Sequence, residues 1–225
     1  MAVKKRLIIT LDGPAGAGKS TVAHGLARRL GITYLDTGAM YRALTFKALR
    51  LGIDLSDEKA LTALIKKTRI GFKQMPDGSL RVTLDGKDVE KDIRSPEVTN
   101  KTFYAARAAG VRKIMVAQQK AIGKGQSLVS DGRDQGTVVF PKATYKFYVD
   151  ADFEERLQRR LRDLKAAGEP VDANQLRADM QDRDNKDFSR AVGPLKKAED
   201  AITIDSTGLT VEGTVDKIMR YIKPL

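Results

Sequence analysis

Short apolar runs alternate with longer stretches of helical period along most of this chain. Leu7–Leu11, Ser127–Ser130, Tyr145–Val149 and Ala201–Ile204 are brief apolar segments, and "ITYLD" around Tyr34 is a fifth. Runs this short predict buried strands. Between them, Val22/Leu26/Leu30, Met40/Leu44/Ala48 and Phe153/Leu157/Leu161/Leu164 recur every three or four residues, as the buried stripe of a helix does. Strands separated by such helices predict a parallel sheet covered on both faces. Asp152-x-x-Glu155 and Asp172-x-x-Gln175 carry the pattern of reciprocal helix caps.

One segment departs from this rhythm. Between Ile70 and Val89, Leu80, Val82 and Leu84 alternate with Arg81, Thr83 and Asp85, and Asp77-Gly78 and Asp85-Gly86 supply hairpin turns. The pattern predicts a small antiparallel three-stranded sheet. Its charged outer face points to a satellite subdomain rather than a core element.

Length and composition narrow the class without naming a reaction. A chain of 225 residues defaults to one large domain. Hydrophobic residues at 41% and charged residues at 31% describe a globular chain. No segment approaches the roughly 20 apolar residues of a membrane span. The basic start "MAVKKRLIITLDG" runs into a glycine loop, which predicts a first strand rather than a signal peptide. With no cysteine, disulfides, thiolate catalysis and cysteine metal sites are excluded, and a cytoplasmic protein is expected. The balance of 41 Lys+Arg against 29 Asp+Glu, a formal charge of +12, favours phosphate-bearing partners, either a nucleotide or a nucleic acid.

Gly13-Pro14-Ala15-Gly16-Ala17-Gly18-Lys19-Ser20 matches the phosphate-binding pattern G-x-x-x-x-G-K-[ST], with an apolar strand before it and an amphipathic helix after it. Glycines let backbone N–H groups turn toward a polyphosphate at a helix N-terminus. Lys19 is then placed for the β- and γ-phosphates and Ser20 for Mg²⁺. The loop specifies a nucleoside triphosphate and little else, although no Asn-Lys-x-Asp stands out as a guanine reader.

Downstream, charged residues collect at strand ends and on single helix faces. Thr37 and Arg42 close the second strand and open the next helix, while Asp131, Arg133 and Asp134 follow another strand. In open parallel sheets that edge binds ligands. Arg183, Asp187 and Arg190, spaced i, i+4, i+7, share a helix face in an arginine-rich hairpin that has the character of a lid. Arg156, Arg159, Arg160 and Arg162 lie opposite the Phe153/Leu157/Leu161 stripe; a solvated charged face is one reading of them and a functional role another. Asp131 is placed to hold a Mg²⁺-bound water, or else to cap its loop. The lone histidine, His24, reads as a surface residue.

The strings "DGPAGAGKST", "YLDTGAMYRA", "DIRSPEV", "DGRDQGTVVFP" and "SRAVGPLKKAEDA", in that order, resemble the bacterial cytidylate kinases of the nucleoside monophosphate kinase family over essentially the whole chain. The last three strings and the small sheet separate that family from adenylate kinases. The resemblance implies an α/β fold of P-loop NTPase type, with a five-stranded parallel sheet, helices on both faces, the antiparallel insert and a helical lid. It implies a single kinase domain with a core of about 1–36, 111–155 and 191–225, a monophosphate-binding region of about 37–110 and a lid of about 156–190. The implied activity is ATP-dependent conversion of CMP and dCMP to their diphosphates, in pyrimidine metabolism, with Mg²⁺ accompanying ATP.

Carried over by position, Gly13 to Thr21 and Arg160 would bind ATP. Thr37, Arg112 and Asp134 would read cytosine, with Tyr41 also in the acceptor site; Arg42, Arg133 and Arg190 would hold the monophosphate, and Arg183 and Asp187 would face the pentose. Lys19, Arg133, Arg183 and Arg190 would act in catalysis, and Ser20 would bind magnesium with Asp131. A carboxylate beside an arginine complements the amino donor and ring acceptors of cytosine, whereas uracil reverses the donor pattern. Phe103 stands where the family has a small hydroxyl residue near the sugar, and Gln135 where an apolar residue is common. A monomer is expected, with neither nucleic acid nor membrane as partner. The alternatives are a P-loop kinase for another small acceptor and, in a different class, a basic nucleotide-binding protein docking on RNA. The 6% aromatic content and absence of tryptophan count against the latter.

Overall fold

The computed structural model describes residues 6–76, 80–166 and 168–223. Strand β1 (Ile8–Asp12) leads through the glycine loop into α1 (Lys19–Leu30), followed by β2 (Thr33–Asp36), α2 (Thr37–Arg50) and α3 (Glu58–Lys66). The small strands β3 (Ile70–Gln74), β4 (Leu80–Leu84) and β5 (Lys87–Asp88) precede α4 (Pro96–Arg107) and α5 (Ala109–Gly125). Then come β6 (Leu128–Gly132), a π-helical turn at Gln135–Val139, β7 (Tyr145–Asp150), α6 (Phe153–Ala166), α7 (Ala173–Ser189), β8 (Ile202–Asp205) and α8 (Val211–Met219). All five expected strands form, in the order β2-β6-β1-β7-β8. Parallel pairing joins β1 to β7 and β7 to β8, as the intervening helices require.

Chain packing divides the molecule into two compact units, one built on Ala27–Ser130 and the other on Ile9–Leu26 with the chain from Asp131 onward. In the first, Met40, Leu44 and Ala48 of α2 are fully buried with Leu61 and Ile65 of α3 and Val111 and Met115 of α5. Val82 and Leu84 of β4 belong to the same cluster. The three-stranded sheet is therefore part of a core, not a satellite, because its apolar face is wide enough for the helices to cover while Arg81 and Asp85 stay exposed. The β3–β4 register pairs Ile70 with Leu84 and Gln74 with Leu80. At Asp85-Gly86 both residues take positive φ, 50° and 86°, as a tight hairpin turn of the primed type demands. The other expected turn, Asp77-Gly78, lies outside the described residues.

In the second unit Ile9 and Leu11 of β1, Phe147 and Val149 of β7 and Ile204 of β8 are buried, with Val215 and Ile218 of α8. Helices α6 and α7 pack against each other. Neither expected cap is reciprocal. Asp172 accepts the N–H groups of Asn174 and Gln175, but the Gln175 amide turns forward to Asp179, 2.8 Å away. At α6 the Asp152 N–H donates to Thr207 Oγ1 and Glu155 pairs with Arg159 at 2.9 Å. In both helices the side chain meant to fold back finds a polar partner one turn ahead.

Candidate active site

The phosphate loop is shaped where β1 ends. Gly13 is pressed against β7, where a Cβ would stand 1.9 Å from the Val149 carbonyl oxygen, so no other residue fits at this turn. Lys19 opens α1, is 5% exposed, and folds its Nζ back to the Pro14 carbonyl. Burial, and next the Arg133 charge, pulls its ammonium well below the usual lysine range, with Asp131 and Asp187 opposing and Arg183 adding to the shift. A polyphosphate would relieve that excess of positive charge.

Ser20 Oγ donates to Asp131 Oδ2 across 2.6 Å, which brings together the two residues expected at a magnesium site. A hydroxyl and a carboxylate are the hard oxygen donors that Mg²⁺ takes. Among the described residues no group of three or more His, Cys, Asp or Glu could hold a metal ion. Thr21 follows Ser20 on the exposed side of α1.

Beyond β6, Arg133 Nε donates to Asp187 Oδ2 at 2.6 Å. Arg190 reaches Asp134 Oδ1 at 3.7 Å and Asp187 Oδ1 at 3.9 Å, and its Nε donates to the Gly193 carbonyl. Burial would raise the Asp187 carboxyl, but Arg133, Arg183 and Arg190 hold it below the usual range. Burial likewise works against the Arg133 guanidinium, and Asp187, with Asp131 and Asp184, more than restores it. Arg133, Asp134, Arg183, Asp187 and Arg190 thus form one charge network in the second unit. Arg190 sits just past α7 as its C-cap, so the helical spacing continues into the cap rather than into the helix itself.

Two members of this neighbourhood escaped the sequence reading. Arg156 is buried rather than solvated: its Nη1 lies 2.7 Å from Asp184 Oδ2 and 2.9 Å from the Ala15 carbonyl, and its Nε donates to Ala151 O. Asp184 Oδ1 also accepts the Ala15 N–H at 3.4 Å. Arg159 is likewise no solvated residue, since it donates to Ser206 Oγ at 3.0 Å and Ser206 O at 2.6 Å. Arg162, 66% exposed, does lie on an open face. Position in a run of arginines carries no signal for which one turns inward; only an apolar stripe one residue wider would have included Arg156. Arg160 is half-buried on α6, and His24 is half-buried on α1 rather than fully at the surface.

The first unit holds Thr37, Tyr41, Arg42 and Arg112. Asp36 caps α2 by accepting the Ala39 N–H at 2.8 Å and takes Arg42 Nη2 at 2.8 Å through its other oxygen. Thr37 and Tyr41 are buried on the same helix. Arg94, within "DIRSPEV" but given no role from sequence, approaches Asp36 at 3.5 Å and also pairs with Glu90. Burial pushes the Asp36 carboxyl up, yet Arg42 and Arg94 together hold it below its ordinary value. Arg112 is 2% exposed on α5 and donates to the Ala106 carbonyl at 3.2 Å. Phe103 stacks obliquely on Tyr104 at 4.0 Å, and the Arg107 guanidinium stands 5.6 Å from the Phe103 ring.

A family model described as cytidylate kinase matches residues 9–224. Curated proteins named cytidylate kinase are 47% identical in Alkaliphilus oremlandii, covering 96% of this chain and 97% of that one, and 48% identical in Desulforamulus reducens, with 96% of each chain covered. The one from Geobacillus kaustophilus is 46% identical over 98% of both. A solved structure of an uncharacterized protein from Eubacterium ventriosum has the same fold, with a TM-score of 0.53 at 15% identity, covering 97% of this chain and 98% of that one. Among the described residues no helix is long and apolar enough to cross a membrane.

Proposed function

This chain belongs to the cytidylate kinase family, and from that premise we propose that it transfers the γ-phosphoryl group of ATP to CMP or dCMP, giving ADP and the cytidine diphosphate. The observation that carries the reading is the family match across nearly the whole chain, from the phosphate loop through Arg190. It favours this activity over a kinase for another acceptor and over RNA docking.

An acceptor phosphate oxygen attacks the γ-phosphorus in line as the bond to the β–γ bridging oxygen breaks, and ADP leaves with that electron pair. The acceptor needs no strong base, because a phosphate monoester with a second pKa near ~6 is already largely dianionic at neutral pH. The backbone of Gly13 to Thr21 holds the donor phosphates, and Arg160 accompanies ATP. Lys19, Arg133, Arg183 and Arg190 neutralise charge as it spreads over the moving phosphoryl oxygens. Ser20, with Asp131 acting through water, would hold Mg²⁺, which when bound neutralises the β- and γ-phosphates. Arg42, Arg133 and Arg190 hold the monophosphate, Thr37, Arg112 and Asp134 read cytosine with Tyr41 beside them, and Arg183 and Asp187 face the pentose. The α6–α7 hairpin acts as a lid that excludes water. A monomer working in the cytoplasm belongs to the same reading.

The test is a coupled assay of ADP release with ATP and each of CMP, dCMP, UMP and AMP. Efficient turnover of CMP and dCMP is expected, with UMP and AMP far behind. Equal or better turnover of AMP would overturn the assignment.

A further inference from the structure

Asp12 is the last residue of β1, 4% exposed, one position before the phosphate loop. Its Oδ1 accepts the N–H of Gln135 at 2.8 Å and Oδ2 accepts the N–H of Gly136 at 2.7 Å. These two groups open the π-helical turn Gln135–Val139. That turn closes on itself elsewhere, with the Val138 and Val139 N–H groups returning to the Asp134 carbonyl at 2.9 and 3.2 Å. The first N–H groups of a helical turn have no partner within it, and a residue of the same segment usually caps them. Here the cap comes from a strand more than a hundred residues earlier in the chain, and Asp134, in the N-cap position, makes no side-chain cap bond.

The fit is close on every side. A Cβ on Gly136 would stand 3.0 Å from Thr10 Oγ1, 3.2 Å from Lys146 Cδ and 3.3 Å from Asp12 Oδ2, so an added methyl group would press on the carboxylate and the side chains beside it. The backbone of Asp12 is itself held, paired with Tyr148 of β7 and followed by the tightly packed Gly13.

We propose that Asp12 is a positioning residue for the acceptor side of the reaction: its two oxygens anchor Gln135 and Gly136 and so set the backbone from which Arg133 and Asp134 project. One carboxylate thereby ties the strand that carries the donor loop to the pair that holds phosphate and reads the base. The inference rests on the acceptor roles proposed above for Arg133 and Asp134. The grip is made in spite of desolvation, which raises the Asp12 carboxyl to about 6; the two N–H bonds and Lys19 oppose that shift, and Asp134 adds to it. Of the other groups near the turn, the Lys146 ammonium is engaged by Asp200 at 2.8 Å and Pro141 O at 2.7 Å.

Asp12→Asn keeps the shape but replaces one acceptor oxygen with an NH2 that must face a backbone N–H. The expected result is a KM for CMP raised by about tenfold or more, a KM for ATP changed by less than about threefold, and weaker discrimination against UMP. Gly136→Ala, which displaces the same turn from its other side, is expected to give the same one-sided defect and serves if the Asn variant does not fold. Independently of turnover, the amide resonances of Gln135 and Gly136 in the ligand-free protein are expected to titrate together near pH 6. Equal rises in both KM values, unchanged kinetics in both variants, or amides that do not titrate together would overturn the proposal. A wild-type protein that titrates in this way but does not turn over CMP would overturn the functional reading instead.

Discussion

Arg156 and Asp184 meet at 2.7 Å, and the same guanidinium nitrogen lies 2.9 Å from the Ala15 carbonyl, so a single ion pair fastens both helices of the hairpin to the crown of the phosphate loop. Both side chains are largely buried. Removing one partner of such a pair strands a buried charge, which costs about 3–5 kcal/mol. Asp184→Ala is therefore expected to lower the melting temperature by several degrees or more and to raise the KM for ATP. Thermal melts and steady-state kinetics check this; an unchanged melting temperature would remove the pair from the structural argument.

Arg190 contacts Asp187, Asp134 and the Gly193 carbonyl from the C-cap of α7, just past the helix itself. Arg190→Ala is expected to lower kcat/KM for CMP by orders of magnitude with the far-ultraviolet circular dichroism unchanged. Near-normal CMP phosphorylation in the folded variant would defeat its role.

Asp134→Asn exchanges one acceptor oxygen for a donor at the residue proposed to read the base. The ratio of kcat/KM for CMP over UMP is expected to fall by about tenfold or more, in the range of one to three kcal/mol that a bidentate base contact discriminates. An unchanged ratio would take Asp134 out of base reading.

The buried carboxylates give pH dependences of opposite sign. Asp12, raised to about 6 in the folded protein, binds its proton more tightly than in the unfolded chain. Its contribution to stability is complete below the unfolded value near pH 3.8 and is lost as pH rises to about 6, a change of about 3 kcal/mol. Asp36 and Asp187, both held low, contribute above that unfolded value and lose their contribution as pH falls through their folded ones. Chemical denaturation between pH 4 and 7 is expected to show Asp12→Asn gaining stability relative to wild type as pH rises from about 4 to about 6. A difference that does not vary with pH would contradict the buried, ionised state of Asp12.

Phe103 packs on Tyr104 and offers no hydroxyl. Phe103→Ser is expected to raise kcat/KM for CMP more than for dCMP, because a hydroxyl can bond a 2′-OH that dCMP lacks. Equal effects on the two acceptors would separate Phe103 from the sugar.

Local pattern carried a large share of this protein. Each strand and helix stripe, the glycine-lysine loop, the Asp85-Gly86 turn and the Arg183–Asp187 spacing depend on residues near one another in the chain, and periodicity reports such neighbours directly. What tertiary structure alone decided was which polar groups leave water. Nothing in "RLQRRLRD" distinguishes Arg156 or Arg159, which turn inward, from Arg162, which does not. The alternation in β4 announced a sheet, but only the helices packed on it made Val82 and Leu84 part of a core. In the opening "LDGPAGAGKS", Asp12 reads as a strand's last residue; its carboxylate acquires a task only when folding brings Gln135 and Gly136 against it. Burying a charge is costly unless fixed donors meet it, and only the folded chain supplies donors from so distant a segment.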